Sequence, residues 1–169
     1  MEERLLGNSG LRVSTLGLGC NNFGWQIDLP ASKAVLHKAL DLGVTHLDTA
    51  DIYGDGTQEN NSEAYLGQLL GPRRKDVVIG TKFGLKSMNP ADGLNGASRR
   101  YIMQAVEASL KRLNTDWIDL YYLHIPDGIT PTEETLRALD DLIHQGKIRY
   151  AACSNLSPWK VTEAHWTAK

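Results

Sequence analysis

The chain has 169 residues, of which 41% are hydrophobic and 22% are charged, and its formal net charge is -2. This composition is typical of a soluble globular domain that buries a sizeable core. A balance of charge so close to neutral gives no electrostatic case for a nucleic-acid partner or an anionic membrane surface.

The cysteines and the N-terminal residues indicate the cellular compartment in which we expect the protein. Cys20 and Cys153 lie far apart, each within an apolar run. No zinc site or disulfide framework can be built from them, so we expect two small buried hydrophobes. The opening Met1-Glu2-Glu3-Arg4 lacks the features of a signal peptide, and no run reaches the roughly 18 apolar residues of a membrane helix. The sequence therefore predicts a cytoplasmic protein without a membrane or metal site.

Strand-like and helix-like segments alternate along the chain. A short β-hairpin is predicted around Gly7-Asn8-Ser9-Gly10, where a turn-forming run separates two apolar segments. Alternating apolar runs then predict five strands, at residues 15–19, 46–48, 77–82, 117–123 and 148–153. Apolar side chains at helical spacing predict a helix after each strand, over 31–42, 62–70, 98–113, from Pro131 to Gly146, and from Ser157 to Lys169.

The last two helices differ in their end signals. Thr130 is the predicted N-cap of the fourth helix, with Pro131 at its first position and Glu133 completing a capping box. The fifth helix reaches Lys169 without a stop signal, which predicts that the chain is cut within that helix.

Five strand–helix pairs in strict order predict an α/β fold with a parallel sheet. Two architectures fit, an open doubly wound sheet and a (β/α)8 TIM barrel. A dinucleotide-binding open sheet needs the third glycine of G-x-G-x-x-G, and Asn22 stands at that position in the run that begins at Gly17. The barrel is therefore favoured, with residues 1–169 forming one domain that supplies its first five β/α units.

Polar side chains follow the predicted strands where each one ends. In chain order they are Asp48 with Tyr53, then Lys82, then His124, and finally Ser154 with Asn155. Because parallel strands open their carboxyl ends on one face, and barrels carry their active sites there, we expect these groups to converge on one rim.

These residue types suit the reduction of a carbonyl group. A free tyrosine has a pKa of about 10, and a neighbouring ammonium favours the phenolate, which makes proton exchange near neutrality easier. Asp48 would keep Lys82 charged and in place, and His124 could donate a hydrogen bond to the carbonyl oxygen. The Ser154-Asn155 pair is suited to holding a carboxamide, the group that orients a nicotinamide ring.

The segment 48–54 (DTADIYG), followed by 62–67 (SEAYLG), resembles the signature of the aldo-keto reductase superfamily. Thr81-Lys82-Phe83, Tyr122-Leu123-His124 and Cys153-Ser154-Asn155 match the lysine, histidine and nicotinamide-amide sites of that family. The opening from Leu5 to Gly24 is similar to the bacterial branch related to potassium-channel β-subunits.

The resemblance implies an NADP(H)-dependent oxidoreductase that acts on a small aldehyde or ketone. It places the catalytic roles on Asp48, Tyr53, Lys82 and His124. It places cofactor contacts on Gly19, Cys20, Asn21, Asp48, Ser154 and Asn155. The carbonyl substrate and the oligomeric state stay open.

The chain departs from the family pattern in two respects. Cys20 replaces the hydroxyl residue common at its turn, which affects one cofactor contact. The family's barrel is also longer, in line with about 250 residues for the fold, so units six to eight are missing. The later loop that grips the adenosine 2′-phosphate is missing with them, and the choice between NADP and NAD is left undecided.

Two other functions fit the same residues, a cofactor-occupied module that senses redox state for a partner protein and an inactive truncated fragment. The long segment from Gly84 to Ala97 has two interpretations, a substrate border and a plain surface loop. The other histidines share no ligand spacing and are predicted to be structural: His37, His46, His144 and His165.

Overall fold

A computed structural model describes residues 1–57, 59–85 and 96–169 of the chain. A two-stranded antiparallel hairpin comes first, formed by β1 (Glu3–Leu5) and β2 (Arg12–Ser14). Five parallel strands follow and form one sheet: β3 (Gly17–Gly19), β4 (His46–Asp48), β5 (Val78–Phe83), β6 (Ile118–Leu123) and β7 (Ile148–Cys153). The predicted hairpin and all five predicted strands are confirmed.

The strands are ordered β3-β4-β5-β6-β7, so each strand pairs with the next in sequence. A doubly wound sheet reverses its strand order at a switch point, whereas a barrel adds its strands in one direction. The described sheet contains no such reversal. The fold is therefore an arc of a (β/α)8 barrel, as the asparagine in place of the third glycine predicted.

A helix follows each strand of the sheet. The helices are α1 (Leu29–Asp41), α2 (Ser62–Leu70), α3 (Arg99–Leu113), α4 (Thr132–His144) and α5 (Pro158–Thr167). A 3-10 helix, Gly71–Asp76, lies between α2 and β5.

The core lies between the sheet and its helices. Leu47 and Ile79 project from the strands and are fully buried, as is Tyr121, whose ring packs 4.7 Å from that of Phe83. The apolar stripe of α3 meets them with Ile102, Val106 and Leu113. Strand residues alternate between two faces, so residues two apart lie on the same face. The register pairs Asp48 with Gly80 and Lys82 with Tyr122, which places Asp48 and Lys82 on the inner face, away from this core.

The predicted capping box of α4 is wrong. The helix begins at Thr132, and Pro131 occupies the cap position without a side-chain hydrogen bond. The hydroxyl of Thr130 instead donates to Asp127 Oδ2 at 2.7 Å, and Glu133 pairs with Arg137 one turn later. The carboxylate of Asp127 accepts from both the N–H and the hydroxyl of Thr130, which holds Thr130 in the turn before the helix.

Burial falls away at the β7 edge of the sheet. Ile148 is buried, but the outer positions of β7 are exposed, and α5 has no buried residue. The prediction of two buried cysteines is thus half right, since Cys20 is completely buried and Cys153 is exposed. Cys153 stands on the edge strand, where only β6 flanks it.

Candidate active site

The carboxyl ends of β4 and β5 bring three of the predicted residues into direct contact. Lys82 Nζ donates to Asp48 Oδ2 at 2.8 Å, to the main-chain oxygen of Thr49 at 2.9 Å and to Tyr53 Oη at 3.2 Å. An ammonium has three N–H donors. All three of them have an acceptor here, so the position of Nζ is fully determined.

The ion pair of Lys82 and Asp48 is asymmetric in exposure. The lysine side chain is 8% exposed and the aspartate side chain 37%. A buried ammonium is costly unless it is paired and hydrogen-bonded. Asp48 supplies the paired charge, and Thr49 supplies a main-chain acceptor. Tyr53 covers the ammonium on the side of the rim, with Nζ 4.8 Å from the centre of its ring.

Tyr53 lies in the loop between β4 and α2, and main-chain bonds hold this loop against β5. Thr49 N–H donates to the oxygen of Gly80 at 2.8 Å, and Asp51 N–H donates to the oxygen of Lys82 at 3.0 Å. Ser62 N–H donates to the oxygen of Tyr53 at 2.9 Å. The loop therefore continues the β4–β5 ladder beyond Asp48 and delivers the phenol to Lys82.

His124 follows β6 and completes the group. Its N–H donates to the oxygen of Phe83 at 2.9 Å, and its imidazole meets the ring of Tyr53 edge-on, with the centroids 5.8 Å apart. Burial, together with the Lys82 ammonium, lowers the pKa of His124, so the ring is neutral near pH 7. Nδ1 is buried and has no hydrogen-bond partner among the described residues.

Ser154 and Asn155 stand at the same rim, beyond β7. Ser154 N–H donates to the oxygen of Leu123, and Asn155 Nδ2 donates to the oxygen of His124 at 2.8 Å and to Ser154 Oγ at 3.0 Å. Asn155 has a φ of 55°, a left-handed conformation that asparagine tolerates. The Ser154 hydroxyl and the Asn155 side-chain oxygen are the donor and acceptor of this pair that could hold a carboxamide.

The turn after β3 presents main chain at the rim. A side chain at Gly19 would meet no atom within 4 Å, so the space above this glycine is open, and Asn21 is exposed. Cys20 N–H donates to the oxygen of Asp48, while its thiol lies against the oxygen of Leu18 at 3.6 Å. Burial raises the pKa of the Cys20 thiol to about 12. Cys20 is completely buried, and its oxygen accepts from Ser62 Oγ at 2.7 Å, so the residue holds the turn in place and its thiol stays inert.

Sequence reasoning missed two residues beneath the Tyr53 loop. The carboxylate of Asp51 is buried and accepts a hydrogen bond from Tyr101 Oη of α3 at 3.3 Å. Asn61 Nδ2 donates to the oxygen of Asp51 at 3.0 Å, and its side chain also caps α2. An acid three residues after an apolar strand and an asparagine before a helix were visible in the sequence, but their partners were not.

The long segment after β5 was predicted either to border the substrate or to be a surface loop. Residues 86–95 of it lie outside the described residues. The part that follows is anchored, since Ala97 N–H donates to Asp127 Oδ2 and Thr135 donates to the oxygen of Ala97.

Among the described residues, no helix has the length and apolar character that crossing a membrane requires.

Comparison with known proteins places this geometry in a family. The model of the aldo/keto reductase family matches residues 15–169. A probable voltage-gated potassium channel β-subunit of Arabidopsis thaliana is 41% identical over 172 residues, covering 99% of this chain and 50% of that protein. L-glyceraldehyde 3-phosphate reductase of Escherichia coli is 39% identical over 161 residues, covering 94% of this chain and 46% of that protein. The chain spans about half the length of the curated relatives it matches.

Two solved structures match the whole of this chain. A thermostable aldo-keto reductase in complex with the inhibitor epalrestat has a TM-score of 0.85 and 31% identity, and 59% of it is covered. An aldo-keto reductase from Bacillus halodurans in its holo form has a TM-score of 0.85 and 35% identity, and 55% of it is covered. With the strand order, the rim of Asp48, Tyr53, Lys82 and His124, and a family model that matches nearly every residue, the chain belongs to the aldo/keto reductase family.

Proposed function

We propose that this chain is part of an NADP(H)-dependent oxidoreductase that reduces aldehydes or ketones to alcohols, with Tyr53 as the general acid. The observation that carries the proposal is Lys82 Nζ, which donates to Asp48 on one side and to the Tyr53 phenol on the other. Oxidoreductases among the relatives and the carbonyl chemistry of the family support it.

Each of the four residues has a defined task in this reaction. The bound nicotinamide supplies the hydride that reduces the carbonyl carbon. Tyr53 hands its proton to the carbonyl oxygen as negative charge develops there, and the ammonium of Lys82 stabilises the phenolate that is left. Asp48 holds that ammonium in place.

His124 assists as a neutral hydrogen-bond donor. Because burial lowers its pKa, the imidazole carries a proton on one nitrogen only near pH 7. Its edge-on contact with Tyr53 supports this role, because a carbonyl oxygen that meets the Tyr53 phenol would also be close to the imidazole. A neutral donor stabilises the developing charge without competing with Tyr53 for the role of acid.

The cofactor would be held from both ends of the arc. The hydroxyl of Ser154 and the amide of Asn155 would bind the carboxamide of the nicotinamide. The exposed residues Gly19 and Asn21 would lie along the cofactor at the other end. The preference for NADP over NAD is part of the proposal, and it depends on the 2′-phosphate contact that the family resemblance implies.

The deciding experiment compares the wild type with Tyr53→Phe, each in the 169-residue chain and in a completed barrel. The completed barrel joins residues 1–169 to the part of the E. coli reductase that this chain does not match. NADPH consumption is followed with a panel of aldehydes. We expect Tyr53→Phe to lower turnover by about 10²–10⁴-fold, the usual contribution of general acid catalysis, and to leave NADPH binding by fluorescence titration unchanged.

Tyr150→Phe is the matched control, because it removes a tyrosine hydroxyl from β7, outside the four-residue group. Near-normal turnover in Tyr53→Phe would contradict the assignment of the acid. NADPH binding without turnover in the wild type would favour the second candidate, a redox-sensing interaction module, which the potassium channel β-subunit relative supports. Activity in the completed barrel alone would assign the isolated chain as an inactive fragment.

A further inference from the structure

The buried carboxylate of Asp51 lies in the loop that carries Tyr53, yet it is turned away from Lys82. Only 2% of Asp51 is exposed, and its Oδ2 accepts a hydrogen bond from the phenol of Tyr101 on α3. A carboxylate is among the most expensive groups to bury, and a loop that needed only to close could do so with an apolar residue. Its presence here indicates a role in setting where the loop lies.

Three contacts fix Asp51 from three elements. Its N–H donates to the oxygen of Lys82 in β5, its own oxygen accepts from Asn61 at the start of α2, and its side chain accepts from Tyr101 in α3. Tyr53 stands two residues further on and has no comparable side-chain anchor on the helix side in the described part of the chain. The placement of its phenol thus depends on Asp51.

The phenol of Tyr101, which is the donor in the hydrogen bond to Asp51, stays protonated near neutral pH. Burial raises the pKa of Tyr101 well above its ordinary value, and the nearby charge of Asp51 raises it further. Tyr101 therefore keeps its proton near neutral pH, and its hydrogen bond to Asp51 persists there.

Tyr101 lies in the first turn of α3, which is anchored to neighbouring elements. The hydroxyl of Ser98 caps the helix by accepting from Tyr101 N–H, and Ala97 is bonded to Asp127 and Thr135. The first turn of α3 is thereby tied to the loop that follows His124 and to α4. Because this turn is held in place, the phenol of Tyr101 contacts the loop that carries Tyr53 from a fixed position.

We propose that Asp51 and Tyr101 are positioning residues, a pair that holds the Tyr53 loop at the distance at which the phenol meets Lys82 Nζ. The proposal rests on the function proposed above for Tyr53. Neither residue touches the reacting atoms, and both act through the backbone of residues 49–53.

Tyr101→Phe tests the pair, because it removes one hydroxyl and leaves the ring. Tyr121→Phe is the matched control. Tyr121 is fully buried in the same core, and its hydroxyl has no hydrogen-bond partner among the described residues, so its loss should leave the loop unchanged. Asp51→Asn keeps an acceptor oxygen for Tyr101, whereas Asp51→Ala does not.

The first measurement is hydrogen–deuterium exchange of amides 49–62 in the 169-residue chain. Tyr101→Phe and Asp51→Ala should speed this exchange about tenfold while amides of β5 and β6 keep the wild-type rate. The second is steady-state kinetics in the completed barrel. We expect kcat to fall about tenfold in Tyr101→Phe, with KM and NADPH affinity within about twofold of wild type, because small misplacements of a catalytic group reduce rate more than binding. Asp51→Asn should retain more activity than Asp51→Ala.

The outcomes separate the two proposals. Unchanged exchange in Tyr101→Phe would overturn the positioning role, whatever the kinetics. Equal losses in kcat, NADPH affinity and thermal stability would also overturn it, since they would show a general structural role. If wild type has no turnover, the proposed function fails, and faster exchange of amides 49–62 in Tyr101→Phe alone would still support the pair.

Discussion

At the scale of single residues, the site is organised around one ammonium group. Lys82 lies on the inner face of β5 with Gly80, which pairs with Asp48, and its Nζ reaches Asp48 Oδ2 at 2.8 Å. A Cβ at Gly80 would lie 3.0 Å from the ring of Tyr122 and 3.4 Å from His46 Nε2. The rings of Tyr122 and His46 therefore occupy the space that a side chain at Gly80 would need.

Lys82→Met tests the ammonium apart from its stem. The variant keeps an unbranched apolar side chain but loses the charge that stabilises a phenolate. We expect carbonyl reduction to slow by at least about tenfold across the range from pH 6 to 9. Rates measured over this range on the completed barrel would show this. Lys33→Met, on the exposed side of α1, is the control, and unchanged rates in Lys82→Met would make Lys82 merely structural.

His124 and His46 make stability depend on pH. Burial lowers the pKa of both, so the folded state resists the protonation that the unfolded state accepts below about pH 6.5. Stability should therefore fall as pH drops from 7.5 to 5.5. Urea unfolding at the two pH values should show a smaller fall in His124→Gln than in wild type. His165→Gln, at an exposed position on α5, should keep the full fall, and equal falls in all three would contradict the prediction.

The sequence was sufficient to predict which residues gather at the rim. Asp48, Lys82 and His124 each end or follow an apolar strand, and parallel strands deliver their carboxyl ends to one face. The partnership of Asp51 with Tyr101 was not predictable, because it joins a loop to a helix fifty positions away, and no local pattern records which helix turn faces which loop.

At the scale of elements, α2 and α3 approach each other closely at Gly67. A Cβ there would lie 2.2 Å from the oxygen of Arg112, well inside contact distance with main chain. The same helices are joined by Glu63, which is fully buried and bonded to Arg112 Nε at 2.6 Å and to Thr81 Oγ1 of β5. The salt bridge between Glu63 and Arg112 orients α3 against α2, and the absence of a side chain at Gly67 lets the two helices approach this closely.

Gly67→Ala sets helix propensity against packing. Alanine favours a helix interior by about 1 kcal/mol over glycine, yet here its methyl group would push α2 from α3. We expect a net loss of about 1–3 kcal/mol in the free energy of unfolding, the usual cost of overpacking. Urea denaturation followed by circular dichroism measures it. Gly10→Ala, where a Cβ meets no atom within 4 Å, should be neutral, and a stabilised Gly67→Ala would mean that the helices can separate freely.

Helix ends show what local patterns can and cannot predict. The predicted α2 agrees with the structure, but α1 begins two residues before its prediction, because Asp28 accepts from Ala31 N–H and starts the helix there. Thr130 fits the rule for a cap, but Asp127 holds both its N–H and its hydroxyl in the preceding turn, and the helix begins at Thr132. Apolar spacing determines that a helix exists, while its first residue depends on which nearby side chains bond to the turn before it.

At the scale of the whole molecule, the sheet ends in two open strands, β3 and β7. Strand edges with unpaired main-chain groups favour pairing with another chain. Apolar side chains are exposed beside β7, since Trp159, Val161 and Trp166 of α5 are all at least 45% exposed. Both the barrel class and the open edges follow from the strict order of the strands, because five parallel strands cannot close a barrel that needs eight.

The 169-residue chain on its own should therefore self-associate and bind NADPH weakly. Size-exclusion chromatography with light scattering should show an average mass that rises with concentration, and thermal unfolding should be broad. The completed barrel is the control, since both edges would be paired in it. A compact monomer with one sharp transition and micromolar NADPH affinity would show instead that five units make a working half-barrel.

The strand order has a further consequence, for biosynthesis. Gly17 pairs with His46, His46 with Val78, and Ile118 with Ile148, so every contact between strands closes a loop of a few tens of residues. Loops of that size cost little entropy to close, and domains begin to fold while the ribosome is still extending the chain. When a strand leaves the ribosome, the strand with which it pairs has already been synthesised. We therefore expect the sheet to form strand by strand, in sequence order, during translation.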